Sequence, residues 1–174
     1  MSHEVLWAAW RNDYVVDATQ REREGDGRAC VFCAIAQDPK VNEASTVVYA
    51  DEEVFVVLNR YPYASGHLLI CPRRHVASLD ELGPKTSPAM WRALEAAVEA
   101  VQAAYQPDGI NVGANLGKAA GAGIPAHLHL HVLPRWSADT NFMTSVANTR
   151  VIPDSLAAAW TKICAAWPLG QAGW

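Results

Sequence analysis

His127-Leu128-His129-Leu130-His131-Val132-Leu133 is the stretch on which the reading of this 174-residue chain turns. Its residue types alternate with period two, which is the period of a β-strand. On a strand over 126–133, all three imidazoles point to one face, spaced roughly 7 Å apart. Leu128, Leu130 and Val132 then point to the other face, toward a core. A lone strand histidine is an ordinary satisfied polar residue. Three in strict alternation over a purely apolar opposite face are hard to explain as packing. Neutral imidazole is a nucleophile near neutral pH, a proton carrier and a metal ligand. A zinc hydrolase using the triplet itself as its metal site is one reading. However, no Glu follows in Pro134-Arg135-Trp136-Ser137-Ala138, and the helical H-E-x-x-H motif is absent.

Working outward, 46–50 (TVVYA) and 53–59 (EVFVVLN) are rich in β-branched and aromatic residues and read as a hairpin around Asp51-Glu52. A turn over 61–66 leads into a third strand, 67–71 (HLLIC), closed by Pro72. Residues 78–82 form an expected helical turn. Thr86 or Ser87 followed by Pro88 starts an amphipathic helix, because Pro fits the first helical position. Met90, Trp91, Leu94, Ala97, Val98, Val101 and Tyr105 carry its apolar stripe to about Gln106, and Pro107 and Gly109 end it. A short strand over 109–113 opens into a glycine-alanine loop, 114–123. Pro134 stops the histidine strand, and Pro153 opens a final helix with Leu156, Trp160, Ile163 and Trp167.

Short hairpin-linked strands with one long helix and a C-terminal helix read as α+β, with a mostly antiparallel sheet of about five strands. Residues 1–29 read as an arm, with Trp7 and Trp10 docked, followed by a charged loop. Residues 30–143 form one domain, and 144–174 a C-terminal extension whose helix packs on that domain or on a dimer partner.

Lys and Arg number 14 against 18 Asp and Glu, a net charge of −4, which argues against an electrostatic nucleic-acid binder. No apolar run approaches the roughly 20 residues that span a bilayer. Residues 1–10 lack a basic region followed by an apolar core, so a cytoplasmic protein is expected. Four cysteines are too few for a disulfide framework. Cys30 and Cys33 form a lone C-x-x-C pair. A redox dithiol would sit in a βαβ context, and a tetrahedral metal site would need two more nitrogen or sulfur ligands. Cys71 and Cys164 read as buried small hydrophobes.

The alternation at 127–133 resembles the signature of the histidine triad (HIT) family of nucleotide hydrolases and transferases. Asn59-Arg60-Tyr61-Pro62-Tyr63-Ala64-Ser65-Gly66-His67 also resembles an earlier segment of that family. The pattern from Cys30 through Arg135-Trp136 and Asn141-Phe142-Met143 is similar to a bacterial branch described as ATP adenylyltransferase or diadenosine tetraphosphate phosphorylase. The resemblance implies that His129 attacks an α-phosphorus and forms a nucleotidyl-histidine intermediate. It implies that His131 stabilises the leaving or bridging oxygen and that His67 packs beside the triad near the phosphates. It assigns Asn59 to ribose hydroxyls, while the residue alone reads equally as a turn-forming Asn. Leu69, on the side of His67, would line the base pocket, although any core Leu would look the same. Family members with this cysteine pair bind zinc through two further histidines, and the matching residues are His75 and His127. A closed structural zinc site of Cys30, Cys33, His75 and His127 is therefore expected, with no organic cofactor. A homodimer is expected too, with Trp136 and 139–143 as its candidate contact.

The loop at 113–123 is not a P-loop: its glycine spacing is one short, and Ala119 stands where a Ser or Thr would hold magnesium. It can still offer backbone N–H groups to phosphates, with Asn115 and Lys118 assisting. Many hydrolase members carry a Gln or Ser just before the triad, whereas this chain has Ala122-Gly123-Ile124-Pro125-Ala126. The room left at Gly123 suggests inorganic phosphate as acceptor, hence a phosphorylase cleaving diadenosine tetraphosphate to ADP and ATP. A family-type hydrolase using water and a non-catalytic nucleotide-binding protein are the alternatives.

Overall fold

A computed structural model of the chain describes residues 30–137, 139 and 154–168. The expected N-terminal arm, the 140–143 part of the dimer contact and the junction at 143/144 lie outside the described residues. The elements run α1 (Val31–Gln37), β1 (Val47–Ala50), β2 (Val54–Leu58), β3 (Leu68–Pro72), α2 (Gly83–Tyr105), β4 (Gly109–Ala114), a 3-10 turn (Lys118–Ala120), β5 (Leu130–Arg135) and α3 (Leu156–Ala166). The five strands form one antiparallel sheet in the order β1-β2-β3-β5-β4.

Strand alternation divides the sheet into two faces. Val48, Val54, Val56, Leu58, Leu68, Ile70, Leu128 and Val132 pack with the apolar stripe of α2. Ala159, Ile163 and Trp167 of the C-terminal segment join the same core, and the Trp160 indole N–H donates to the Val47 carbonyl at 2.8 Å. On the opposite face Val47, Phe55, Val57, Leu69 and Cys71 pack with Phe32 and Ala36 of α1. β2 and β3 are thus buried on both faces, which is why they read as continuous apolar runs. The face under the short α1 is the one that carries the histidines.

Four boundaries differ from expectation. The helix anticipated at Pro88 begins at Gly83, with Pro84 in its first turn. Pro88 lies inside, where its missing N–H costs one hydrogen bond that the buried face of this 23-residue helix offsets. The histidine strand begins at Leu130 rather than 126. The register Ile70–Leu130 would bring Leu128 opposite Pro72, which has no N–H to give. Leu128 instead donates to the Val76 carbonyl at 2.7 Å. Nor does Pro134 stop the strand. Pairing with β3 ends at Val132, and β4 continues beside β5 through Arg135, so Pro134 sits where a missing donor is tolerated. The turn expected over 78–82 is a single hydrogen-bonded one, Leu79 to Leu82. The last helix starts after Ser155, whose hydroxyl accepts the Ala158 N–H, not at Pro153. α1 is a helix that periodicity did not announce. Among the described residues, no helix is long and apolar enough to cross a membrane.

Candidate active site

Seven side chains form two linked clusters on the α1 face. The first contains Cys30, Cys33, His75 and His127, whose ligand atoms all lie within 4.8 Å of one another. Cys30 precedes α1 and Cys33 occupies its first turn. His127 is fully buried, and its Nε2 lies 2.9 Å from the Pro72 carbonyl. A carbonyl only accepts, so Nε2 carries the hydrogen and Nδ1 is bare. That bare Nδ1 lies 3.4 Å from Cys30 Sγ and 3.5 Å from Cys33 Sγ, and His75 Nδ1 lies 3.1 Å from Cys33 Sγ. A tetrahedral zinc with ordinary Zn–S and Zn–N bonds has S···N edges of about 3.5 Å, so the donor set fits the ion in type, number and spacing. Both cysteines are free thiols. Burial and the neighbouring Cys30 push the Cys33 thiol up to about 11, a setting in which a bound divalent cation would supply the missing counter-charge.

The second cluster contains His129, His131 and His67. His129 is 6% exposed, and its Nδ1 lies 2.8 Å from the carbonyl of His127. The same logic places the hydrogen on Nδ1 and leaves the Nε2 lone pair bare. Burial lowers the pKa of His129, opposed by that carbonyl, so the ring is neutral at neutral pH. The His129 and His131 ring centroids are 5.0 Å apart. His67 Nε2 lies 2.9 Å from His131 Nδ1, and Tyr63 N–H donates to His67 Nδ1 at 3.1 Å. His67 therefore bears its hydrogen on Nε2 and gives it to His131, whose own hydrogen must then sit on Nε2. Burial first, then the neighbouring His131 and His129, lower the His67 pKa to about 3. His67 is thus a neutral donor throughout the working range.

The two clusters share a residue. His127 offers its ring to the cysteines and its carbonyl to the His129 imidazole. Phe32, inside the C-x-x-C pair, spans the same junction, with its ring centroid 5.3 Å from His127 and 5.2 Å from His129. Tyr63 plays the corresponding part at the other end, 4.8 Å from His67 and 6.0 Å from His131. Gly66 has φ +74°, and an added Cβ there would overlap the Tyr105 ring, so the turn that delivers His67 requires glycine.

Phe32, Tyr63 and the Pro72 carbonyl were not among the sequence candidates. Phe32 and Tyr63 had a signal, since each lies within a segment already singled out. The other candidates fall as follows. Asn59 lies against His67. Leu69 pairs in register with His131 and is buried among Phe32, Phe55 and Cys71. Gly113, opposite His131 on β4, leaves open space where a side chain would stand. Asn115, Lys118 and Gly123 lie on the loop that leads from there to the histidines. Arg135 is held by the Asp139 carboxylate and the Asn111 side-chain carbonyl.

The sequence model of the HIT domain matches residues 40–138. A protein named AP-4-A phosphorylase from Mycobacterium tuberculosis is 36% identical over 152 residues, covering 87% of this chain and 77% of that protein. Adenylylsulfatase HINT3 of Arabidopsis thaliana is 32% identical over 123 residues, 66% of this chain and 60% of its own length. Among solved structures, a Zn-bound histidine triad family protein from Mycobacterium smegmatis superposes with a TM-score of 0.63 at 30% identity, covering 80% of this chain and 93% of its own.

Proposed function

The chain is an enzyme of the HIT family, and on that footing we propose that it splits diadenosine tetraphosphate with inorganic phosphate, giving ATP and ADP through a nucleotide carried on His129. The observation that supports this reading is the pair of complementary tautomers. His129 has a bare Nε2 because His127 holds its Nδ1 hydrogen, and 5.0 Å away His131 has a hydrogen on Nε2 because His67 holds its Nδ1. One ring is a nucleophile and the next is a donor, on one face and both largely dry.

In the first step, the His129 Nε2 lone pair forms a bond to the α-phosphorus. The bond from that phosphorus to the bridging oxygen breaks, and the His131 Nε2–H donates a hydrogen bond to the oxygen of the departing ATP, stabilising the charge that develops there. The positive charge gained by His129 is stabilised at Nδ1–H by the His127 carbonyl. In the second step, an unprotonated oxygen of phosphate forms a bond to the same phosphorus, and the P–N bond breaks with its electron pair returning to His129 Nε2. The product is ADP. Water in place of phosphate would give AMP.

Cys30, Cys33, His75 and His127 would hold zinc, which supplies folding energy and fixes His127 rather than taking part in bond making. The relative named for phosphorolysis and the absence of a polar side chain in 122–126 favour phosphate over water. Gly123, Asn115 and Lys118 are proposed phosphate contacts, and Leu69 a wall of the base pocket. A homodimer in which Trp136 and 139–143 approach the partner is part of the same reading, as is a cytoplasmic location. The test is incubation with diadenosine tetraphosphate with and without phosphate, with separation of products. ADP plus ATP, formed at a rate that rises with phosphate, is the expected result. AMP plus ATP at a phosphate-independent rate would make the chain a hydrolase.

A further inference from the structure

Asn59 has surroundings that its place in the sequence did not announce. It follows β2, and its backbone N–H donates to the His67 carbonyl at 2.9 Å. Its side-chain carbonyl accepts the Tyr61 N–H at 3.0 Å, which fixes the orientation of the amide. The amide nitrogen then lies 3.2 Å from His67 Nδ1. The Tyr63 N–H donates to that same nitrogen at 3.1 Å. Two donors therefore converge on one imidazole nitrogen inside a turn, and a hydrogen on that nitrogen would oppose both.

We propose that Asn59 is a positioning residue, which keeps Nδ1 of His67 bare and thereby, through the His67–His131 hydrogen bond, keeps the proton of His131 on Nε2. The chain of constraint is short. A bare Nδ1 on neutral His67 requires Nε2–H. That hydrogen, 2.9 Å from His131 Nδ1, requires Nδ1 of His131 to accept. The only nitrogen left for the His131 proton is Nε2, on the other side of the ring from His67. A ribose contact makes a different demand, since it engages Asn59 with the substrate rather than with His67. Donation of that hydrogen to a leaving oxygen as a hydrogen bond rests on the proposed chemistry, whereas the tautomers do not.

The test uses the full-length, zinc-loaded protein with 15N-labelled histidine. Long-range proton–nitrogen spectra show which ring nitrogen carries hydrogen, and kinetics on diadenosine tetraphosphate accompany them. In the unsubstituted protein, His67 and His131 are both expected as Nε2–H tautomers. Asn59→Asp keeps the shape and turns one donor into an acceptor. His67 is then expected to gain a hydrogen at Nδ1, and His131 to lose its fixed Nε2–H. Turnover at saturating substrate is expected to fall by about 10²-fold or more, the usual size of one lost donor to developing charge, with KM changed little. Asn59→Ala leaves the Tyr63 N–H as the remaining turn donor, and His67 is expected to become a mixture of tautomers.

Unchanged His67 and His131 tautomers in both variants would overturn the proposal. So would a raised KM with turnover intact, which is the signature of a lost ribose contact. Tautomers that shift as described in a protein that does not cleave diadenosine tetraphosphate would support the positioning role and sink the proposed reaction instead.

Discussion

His129→Ala is expected to lower turnover by on the order of 10⁴-fold or more, with the fold and the zinc site intact. The size follows from position. His129 is the ring whose Nε2 is bare while its Nδ1 hydrogen is held. His127, with its ring at the cysteines and its Nε2 on Pro72, has no nucleophilic nitrogen to spare, and His131 presents a hydrogen at Nε2. No neighbouring imidazole stands in the right tautomer to take over. The fold tolerates the change because the side-chain hydrogen bond of His129 runs to a carbonyl of its own segment, and no ligand atom of the metal cluster is lost. Steady-state kinetics beside zinc content and thermal unfolding check this. Turnover within tenfold of the unsubstituted protein would exclude a covalent intermediate at this residue.

Stripping zinc, or replacing Cys33 with Ala, is expected to have the second largest effect, on stability first and activity second. α1 has seven residues, too few to be stable alone, and only Phe32 and Ala36 of it are buried. Beyond those, Arg73 ties its end by donating to the Ala36 carbonyl at 2.8 and 3.2 Å. A structural zinc of this ligand type supplies on the order of 10 kcal/mol of folding free energy, so losing a ligand is expected to cost more than about 3 kcal/mol. Activity follows because His127 would lose the ion that holds its ring, and the carbonyl that orients His129 belongs to the same residue. Metal analysis, chemical denaturation and turnover on one preparation check the order of events. Activity lost to a chelator without loss of stability would point to a zinc that acts in the reaction. Near-native stability in a zinc-free protein would remove the structural site.

The histidine alternation was legible because Leu128, Leu130 and Val132 alternate with it toward the core, although of the three histidines only His131 falls within β5. The four candidate metal ligands were reached through the resemblance, and the structure brings their ligand atoms within 4.8 Å of one another. The reaches of chain that misled reading did so for non-local reasons. Pro134 looks like a terminator, but its tolerance depends on how far β3 extends on the neighbouring side. The start of β5 depends on Pro72, which lies 58 residues before Leu130. α1 lacks periodicity because contacts from elsewhere hold it: Arg73 at its end and the opposite face of the sheet over Phe32. The contact of Asn59 with His67 was not legible, since a turn that folds back on His67 is invisible in spacing alone. Tyr63 and Phe32 act through ring packing, which leaves no mark in a sequence beyond proximity to residues already suspected.

Trapping the intermediate tests the central claim most directly. The protein is mixed with diadenosine tetraphosphate in phosphate-free buffer and quenched in alkali, where a phosphorus–nitrogen bond to histidine survives. Peptides are then mapped by mass spectrometry. A single adenylylated peptide with the modification on His129 is predicted, and adding phosphate before the quench should discharge it as ADP. Turnover with no adenylylated peptide at any time, or with the group on another residue, would contradict it.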